Sequence, residues 1–285
     1  MLEKILIILS IVPLFVINSF CDKIASTKEE NRHNRLYNTI KFLVCSVALL
    51  PIALIDSAPK FGIGAIVCGI GCGVMYAISK TVILKGYQTT SVAFMTLCHA
   101  AGMILPCILG HLFWNEKLSF LSVIGIILAV FSIALLSSKG ESKVDAKKGI
   151  IYGVIVFLTS GGVMIVQKLM GLYFINQSIT AYNLYSFITA FIILRILTPK
   201  ERPQKKNKKV IFIAAGLSAI SLSVISLVMT EMAGALPSVI MFPLFNGLGI
   251  IFVCLGSTVL FKEKFTTKKT IGLILGLIGL FLINL

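Results

Sequence analysis

Residues 91–125 read SVAFMTLCHAAGMILPCILGHLFWNEKLSFLSVIG, and residues 238–272 read SVIMFPLFNGLGIIFVCLGSTVLFKEKFTTKKTIG. A shift of 147 positions lays Ser91-Val92 on Ser238-Val239, Gly102 on Gly249 and Cys107 on Cys254. The same shift lays Glu116-Lys117 on Glu263-Lys264 and Ile124-Gly125 on Ile271-Gly272. Identities between apolar helices arise easily by chance. A run at one constant offset, ending in a charged Glu-Lys pair, does not, and it marks an internal repeat. A shift of 145 also brings Lys23 onto Lys168.

The content of one unit then sets the fold. Crossing a hydrocarbon core about 30 Å thick takes about 20 apolar residues at about 1.5 Å each. Ten segments meet that length, at about 4–21, 37–55, 61–80, 91–113, 120–137, 149–167, 178–197, 210–230, 238–260 and 269–285. Polar stretches separate them, among them Glu29-Glu30-Asn31-Arg32, Asp56-Ser57-Ala58-Pro59, Lys139–Lys148 and Pro199–Lys209. A β-barrel is excluded, because its strands would alternate apolar and polar residues. Five segments per unit is an odd number, so the second unit must cross in the opposite sense to the first. The expected fold is an all-α membrane protein of ten transmembrane helices in two inverted five-helix repeats, 1–138 and 149–285. Inverted halves are a recurrent plan of transporters.

Composition agrees: 57% of the 285 residues are hydrophobic and 13% charged, against about 45–50% and about 25% in soluble domains. The seven cysteines lie in or beside apolar runs without histidines at metal spacing, so they read as small packing residues. No cofactor or metal is indicated. The net charge of +15 raises nucleic acid as a partner, but no basic module interleaved with aromatics is present, so no nucleic-acid partner is expected. Lys4 followed by Ile5–Ile17 resembles a signal peptide, yet Phe20 before Cys21 is too large for a lipoprotein cleavage site. The reading is an uncleaved first helix.

With ten crossings, one face receives 22 of the 26 Lys and Arg, including Lys41, Lys80 and Arg195 as boundary residues. The face with both termini receives Lys4, Lys60, Lys117 and Lys168. The positive-inside rule places the basic face in the cytoplasm and the termini outside.

Phe113-Trp114-Asn115-Glu116-Lys117-Leu118-Ser119 and Phe261-Lys262-Glu263-Lys264-Phe265-Thr266 resemble the turn that ends each half in the drug/metabolite transporter superfamily, EamA-type. Gly125 and Gly272 in the helices that follow, Lys23 and Lys168, and Pro243 in the ninth segment are similar to that family as well. The first-half counterpart of Pro243 is Thr96, so the proline pattern is missing there. The resemblance implies alternating-access transport or export of amino acids, nucleotide precursors, amphipathic drugs or similar metabolites. It also implies cytoplasmic termini, against the charge asymmetry. The small four-helix relatives carry a membrane glutamate eight residues before the first-helix lysine. Those positions here are Phe15 and Ser160, so their proton-binding mechanism does not carry over.

A solute in transit needs polar partners where lipid offers none. His99 lies near the centre of the fourth segment, and its repeat partner is Asn246. Across a pseudo-twofold axis they would form a solute or proton site, or else bond to neighbouring helices. Tyr76 and Ser223 are a second repeat-related pair, with Tyr76 either meeting solute or anchoring at the interface. Thr96, Asn18, Thr159 and Ser160 complete a central set, unless their side chains bond their own helices. Glu231 is a candidate coupling carboxylate alongside His99, or a solvated boundary residue. Glu116 and Glu263 read as helix caps or partners of nearby lysines. Gly69/Gly73 and Gly272/Gly276 have the spacing of close helix contact; for the last segment the partner is the fifth segment or, in a homodimer, a second copy.

The expected function is a secondary transporter or exporter of small organic solutes in the plasma membrane, its partners a small-molecule substrate and the lipid bilayer. No Walker-type loop supports a primary pump. A membrane enzyme is disfavoured because His33, His99 and His111 fall on separate segments. A lipid-linked sugar flippase remains the alternative, marked by a lateral opening rather than an enclosed polar cavity. Few buried acids are expected, which favours neutral, zwitterionic or anionic solutes.

Overall fold

Twenty apolar residues without a hydrogen-bonding partner outside the chain must satisfy their own backbone, and the helix is the local solution. The computed structural model describes residues 2–28, 31–58, 61–90, 92–117, 119–136, 146–197, 208–261 and 267–282, and those residues are helical apart from short connections. The helices are α1 (Leu2–Lys28), α2 (Asn31–Ile55), α3 (Ile63–Thr89), α4 (Val92–Ala101), α5 (Ile104–Phe113), α6 (Phe120–Leu136), α7 (Ala146–Tyr173), α8 (Ile179–Leu197), α9 (Lys208–Ala235), α10 (Ser238–Phe261) and α11 (Thr267–Leu282). α4 and α5 are two halves of one crossing, so the described residues form ten helical units. Eight are long and apolar enough to span a membrane, with Phe94–Phe113 counted as one. α6 and α11 are shorter, at 17 and 16 residues.

Several crossings run further than the apolar runs: α1, α3, α7 and α9 at their C-terminal ends and α2 at its N-terminal end. α1 continues to Lys28 and α3 to Thr89, past residues 21 and 80 where their apolar runs end. Lys23, Lys41 and Lys80 are not loop-boundary residues; all three are buried, and each has a polar partner inside the protein. Removing them from one face and the buried Lys168 from the other leaves the charge asymmetry in place. The hydrophilic stretches 137–145 and 198–207 and the Glu263-Lys264 turn with Thr266 lie outside the described residues.

The packing repeats itself as the duplication requires. α3 packs on α7 and α8, and its counterpart α9 packs on α1 and α2. α4 against α7 has its mate in α10 against α1, while α2–α8, α4–α10 and α6–α11 pair across the halves. Reciprocal contacts of this kind are what an approximate twofold axis generates. Two apolar clusters fill the interior, one centred on α1, α4, α5, α9 and α10, the other on α2 and α8, with α3, α7 and α9 contributing to both. Exposed Val47, Val67, Phe131, Leu217 and Leu255 leave an apolar outer surface suited to lipid.

The glycine spacing works as close contact. A Cβ on Gly73 would stand 2.5 Å from the Ser186 carbonyl oxygen, and one on Gly69 2.6 Å from Tyr185 Cβ, so α3 lies backbone to backbone on α8. In the last crossing, Ser132 Oγ of α6 donates to the Gly272 carbonyl at 2.5 Å, and a Cβ on Gly276 would meet the same hydroxyl. α11 therefore packs on the fifth crossing.

Candidate functional site

The fourth crossing breaks at its middle. Pro106 has no N–H to give the Gly102 carbonyl, and its ring crowds that oxygen. The chain answers with tight turns: Gly102 N bonds to His99 O at 3.2 Å, Met103 N to Ala100 O at 3.0 Å and Leu105 N to Gly102 O at 3.1 Å. The other half of the protein receives the break. Ser160 Oγ on α7 donates to the His99 carbonyl at 2.8 Å, and a Cβ on Gly161 would stand 2.6 Å from Gly102 O. Discontinuous helices at the seam of inverted halves are common at transporter sites. Ser160→Ala is expected to remove one bond at the break and lower stability by about 1 kcal/mol, read as a shift in thermal midpoint in detergent; an unchanged midpoint would remove Ser160 from this role.

A cavity lies beside the break. Its walls come from α1, α3 and α4 of the first half and α7, α9 and α10 of the second, and it holds about 70 Å³ of water-accessible volume, room for a few waters. Tyr76, Thr96, His99, Ser160 and Asn246 all line it, as does Asn18. Ser223 and Glu231 stand apart: Ser223 is buried away from the lining, and Glu231 is exposed. Thr159 Oγ1 bonds back to the Ile155 carbonyl at 2.7 Å, within its own helix.

Three polar atoms on this wall, Thr96 Oγ1, His99 Nδ1 and Asn246 Oδ1, have no hydrogen-bond partner among the described residues. Buried polar atoms are almost always paired, and an exception calls for a bound group or water. The carboxamide is held in place by Asn246 Nδ2 donating to Phe242 O at 2.8 Å. The His99 ring lies 6.0 Å from Phe15, which meets Phe245 edge-on at 5.3 Å. Tyr76 is no interface anchor. It is buried between Phe42 and Phe187, at 6.0 and 5.8 Å, with its hydroxyl 3.2 Å from Ser226 Oγ. Ser226 gives its proton to Asn183 Oδ1, so Tyr76 is the donor of that pair.

The expectation of few buried acids missed the strongest electrostatic feature. Asp22 is 1% exposed. Its Oδ1 accepts from Lys41 Nζ at 2.9 Å and Tyr37 Oη at 2.8 Å, and its Oδ2 from Lys80 Nζ at 3.3 Å. Lys41 also donates to Asn18 Oδ1 at 2.7 Å, which accepts Ser218 Oγ at 2.6 Å as well. The cluster joins α1, α2, α3 and α9, and Asp22 and Lys80 form part of the cavity wall. The sequence signal for it is that Asp22, Lys41 and Lys80 all fall near the same-side ends of the first three apolar runs, 4–21, 37–55 and 61–80, which brings them to one level.

On the opposite face, Glu116 pairs with Lys168 Nζ at 2.8 Å. It also accepts the Ser238 N–H at 2.9 Å, capping α10 rather than its own turn. Lys168 completes its bonds on Leu236 O at 2.9 Å, as its repeat partner Lys23 does on Tyr87 O at 3.1 Å. Ser119 accepts the Ser122 N–H at 3.1 Å and opens α6. The Glu263 half of this expectation lies outside the described residues. Among the described residues, no three His, Cys, Asp or Glu gather as a metal site.

Comparison with known proteins places this geometry. The model of the EamA-like transporter family matches twice, over residues 4–138 and 147–285. A solved structure titled only "Crystal structure of protein" superposes with a TM-score of 0.70 over 98% of this chain and 96% of its own, at 14% identity, a likeness of fold. A search of the curated proteins finds no match. With nearly every residue inside one of the two matched units, the chain belongs to the EamA-like transporter family.

Proposed function

We propose that this membrane transporter is a secondary carrier of small organic solutes in the plasma membrane, working by alternating access along the seam between units 1–138 and 149–285. The observation that carries the reading is the trio of partnerless polar atoms, Thr96 Oγ1, His99 Nδ1 and Asn246 Oδ1, on a cavity wall shared by both halves. A solute's donors and acceptors would complete them. The cavity's volume of about 70 Å³ falls well short of the about 300 Å³ or more of a typical organic-ligand pocket, so loading requires the halves to part. The Glu116–Lys168–Ser238 contacts close one end of that path.

The flippase alternative calls for a lateral route for lipid. An apolar groove does run between α10 and α11 beside Pro243 and Phe281, but it shares no lining residue with the central cavity. In proteoliposome counterflow with amino-acid-like and drug-like solutes, His99→Ala and Asn246→Ala are each expected to lower the initial rate at least about tenfold, as losing a buried polar partner worth about 1.4 kcal/mol would. Rates equal to wild type in both variants would remove these residues from the solute path.

A further inference from the structure

The charge on the cavity wall narrows the class of solute, on the reading that this cavity is the transport site. Asp22, Lys41 and Lys80 together bring two positive charges and one negative into the interior. Lys41 is turned away from the cavity: it is 0% exposed, gives two of its three donors to Asp22 and Asn18 at 2.9 and 2.7 Å, and does not line the cavity. Lys80 is different. It lines the cavity, and among the described residues its ammonium makes one polar contact, a long one of 3.3 Å to Asp22. An ammonium has three donors, so two are left for the contents of the cavity. Asp22 and Lys80 are the charged residues of the wall among the described residues. On the wall these two cancel, but with Lys41 paired to Asp22 from behind, the Asp22–Lys41–Lys80 cluster carries one positive charge in excess, in a medium where an unmatched charge is strongly disfavoured.

The duplication provides an independent argument. At the 145 offset the second-half counterpart of Asp22 is Gln167, and at the 147 offset that of Lys80 is Leu227. Gln167 is buried and lines the same cavity. The scaffold is thus built once with the charges and once without them. The fold of the second half forms without these charges, which leaves room for them to select the cargo in the first.

We infer that the transported solute is an organic monoanion whose carboxylate is held by Lys80, with an apolar body against Phe15, Met164, Met229 and Phe245. One excess positive charge matches one carboxylate. A dianion would bring a second, unmatched negative charge beside Asp22, and a cation would meet Lys80 with like charge. Thr96, His99 and Asn246 remain to bond polar groups on the body of the solute.

The test uses the full-length protein in proteoliposomes, with sets of solutes that share one phenyl or branched-alkyl skeleton and end in a carboxylate, a primary amide or a primary ammonium. Counterflow and thermal stabilisation are read for each set. Carboxylates are expected to exchange at least about tenfold faster than their amides and ammonium ions, a difference of about 1.4 kcal/mol. Lys80→Gln is expected to abolish that preference and Lys80→Arg to keep it. Because Lys80→Gln leaves Asp22 and Lys41 as a neutral pair, the variant should fold, and monodisperse elution checks it. A preference for the amide or ammonium members, or a carboxylate preference that survives Lys80→Gln, overturns the anion assignment while leaving transport intact. If no member of any set exchanges or stabilises the protein, both the assignment and the transport reading fall.

Discussion

Asp22→Ala is expected to destabilise the protein by about 3–5 kcal/mol, the range for breaking a buried ion pair from one side. The variant strands Lys41 and Lys80, both buried, with no carboxylate between them. It also removes an acceptor from the Tyr37 hydroxyl. The loss is recoverable if the charges are the cause. Asp22→Leu combined with Lys41→Met replaces the inner pair with apolar groups of similar bulk, and exchanging a buried pair for packing is often neutral or better. Thermal unfolding in one detergent should show the double variant well above Asp22→Ala. Losses that simply add would mean that Asp22 and Lys41 act separately, contrary to the 2.9 Å contact between them.

Glu116→Gln is the second large effect. Glu116 holds the ends of three helices together: α5 on which the turn rests, α7 through Lys168, and α10 through the Ser238 N–H. The amide retains an acceptor for Ser238 but leaves the Lys168 ammonium, 3% exposed, without its counter-charge. Because Glu116 itself is 11% exposed, water softens the penalty, and a loss of about 1–3 kcal/mol is expected. The double variant with Lys168→Met should be no worse than Glu116→Gln alone. The same loosening favours states open on this face, since these contacts would break when α5, α7 and α10 separate. A double variant clearly less stable than either single one would show that Glu116 and Lys168 hold different partners.

What could be read from residues alone depended on how local the cause was. The repeat, the ten crossings and the pairing of His99 with Asn246 rest on run length and a constant offset, and neither depends on tertiary detail. The end of α3 was misjudged because hydropathy treats Lys80 as the edge of the membrane. The lysine is held inside by Asp22, 58 positions earlier, and no local window contains both. Asp22 and Lys41 were hidden for the same reason. The break in the fourth crossing has a local cause, Pro106 four residues after Gly102, but an unbroken apolar run on both sides of it reads as one continuous span. Ser223 is the repeat partner of Tyr76, yet only Tyr76 reaches the cavity, because an approximate axis relates backbones more closely than side-chain environments.

Alternating access requires that one cavity on the seam meet water from each side in turn. Thr96→Cys, nearly isosteric with the native side chain, in a protein whose seven native cysteines are replaced, reports on it directly. A membrane-impermeant maleimide applied to right-side-out and to inside-out vesicles should modify this residue from both faces, more slowly when transported solute is present. Modification from one face alone, with or without solute, or from neither, would contradict the account.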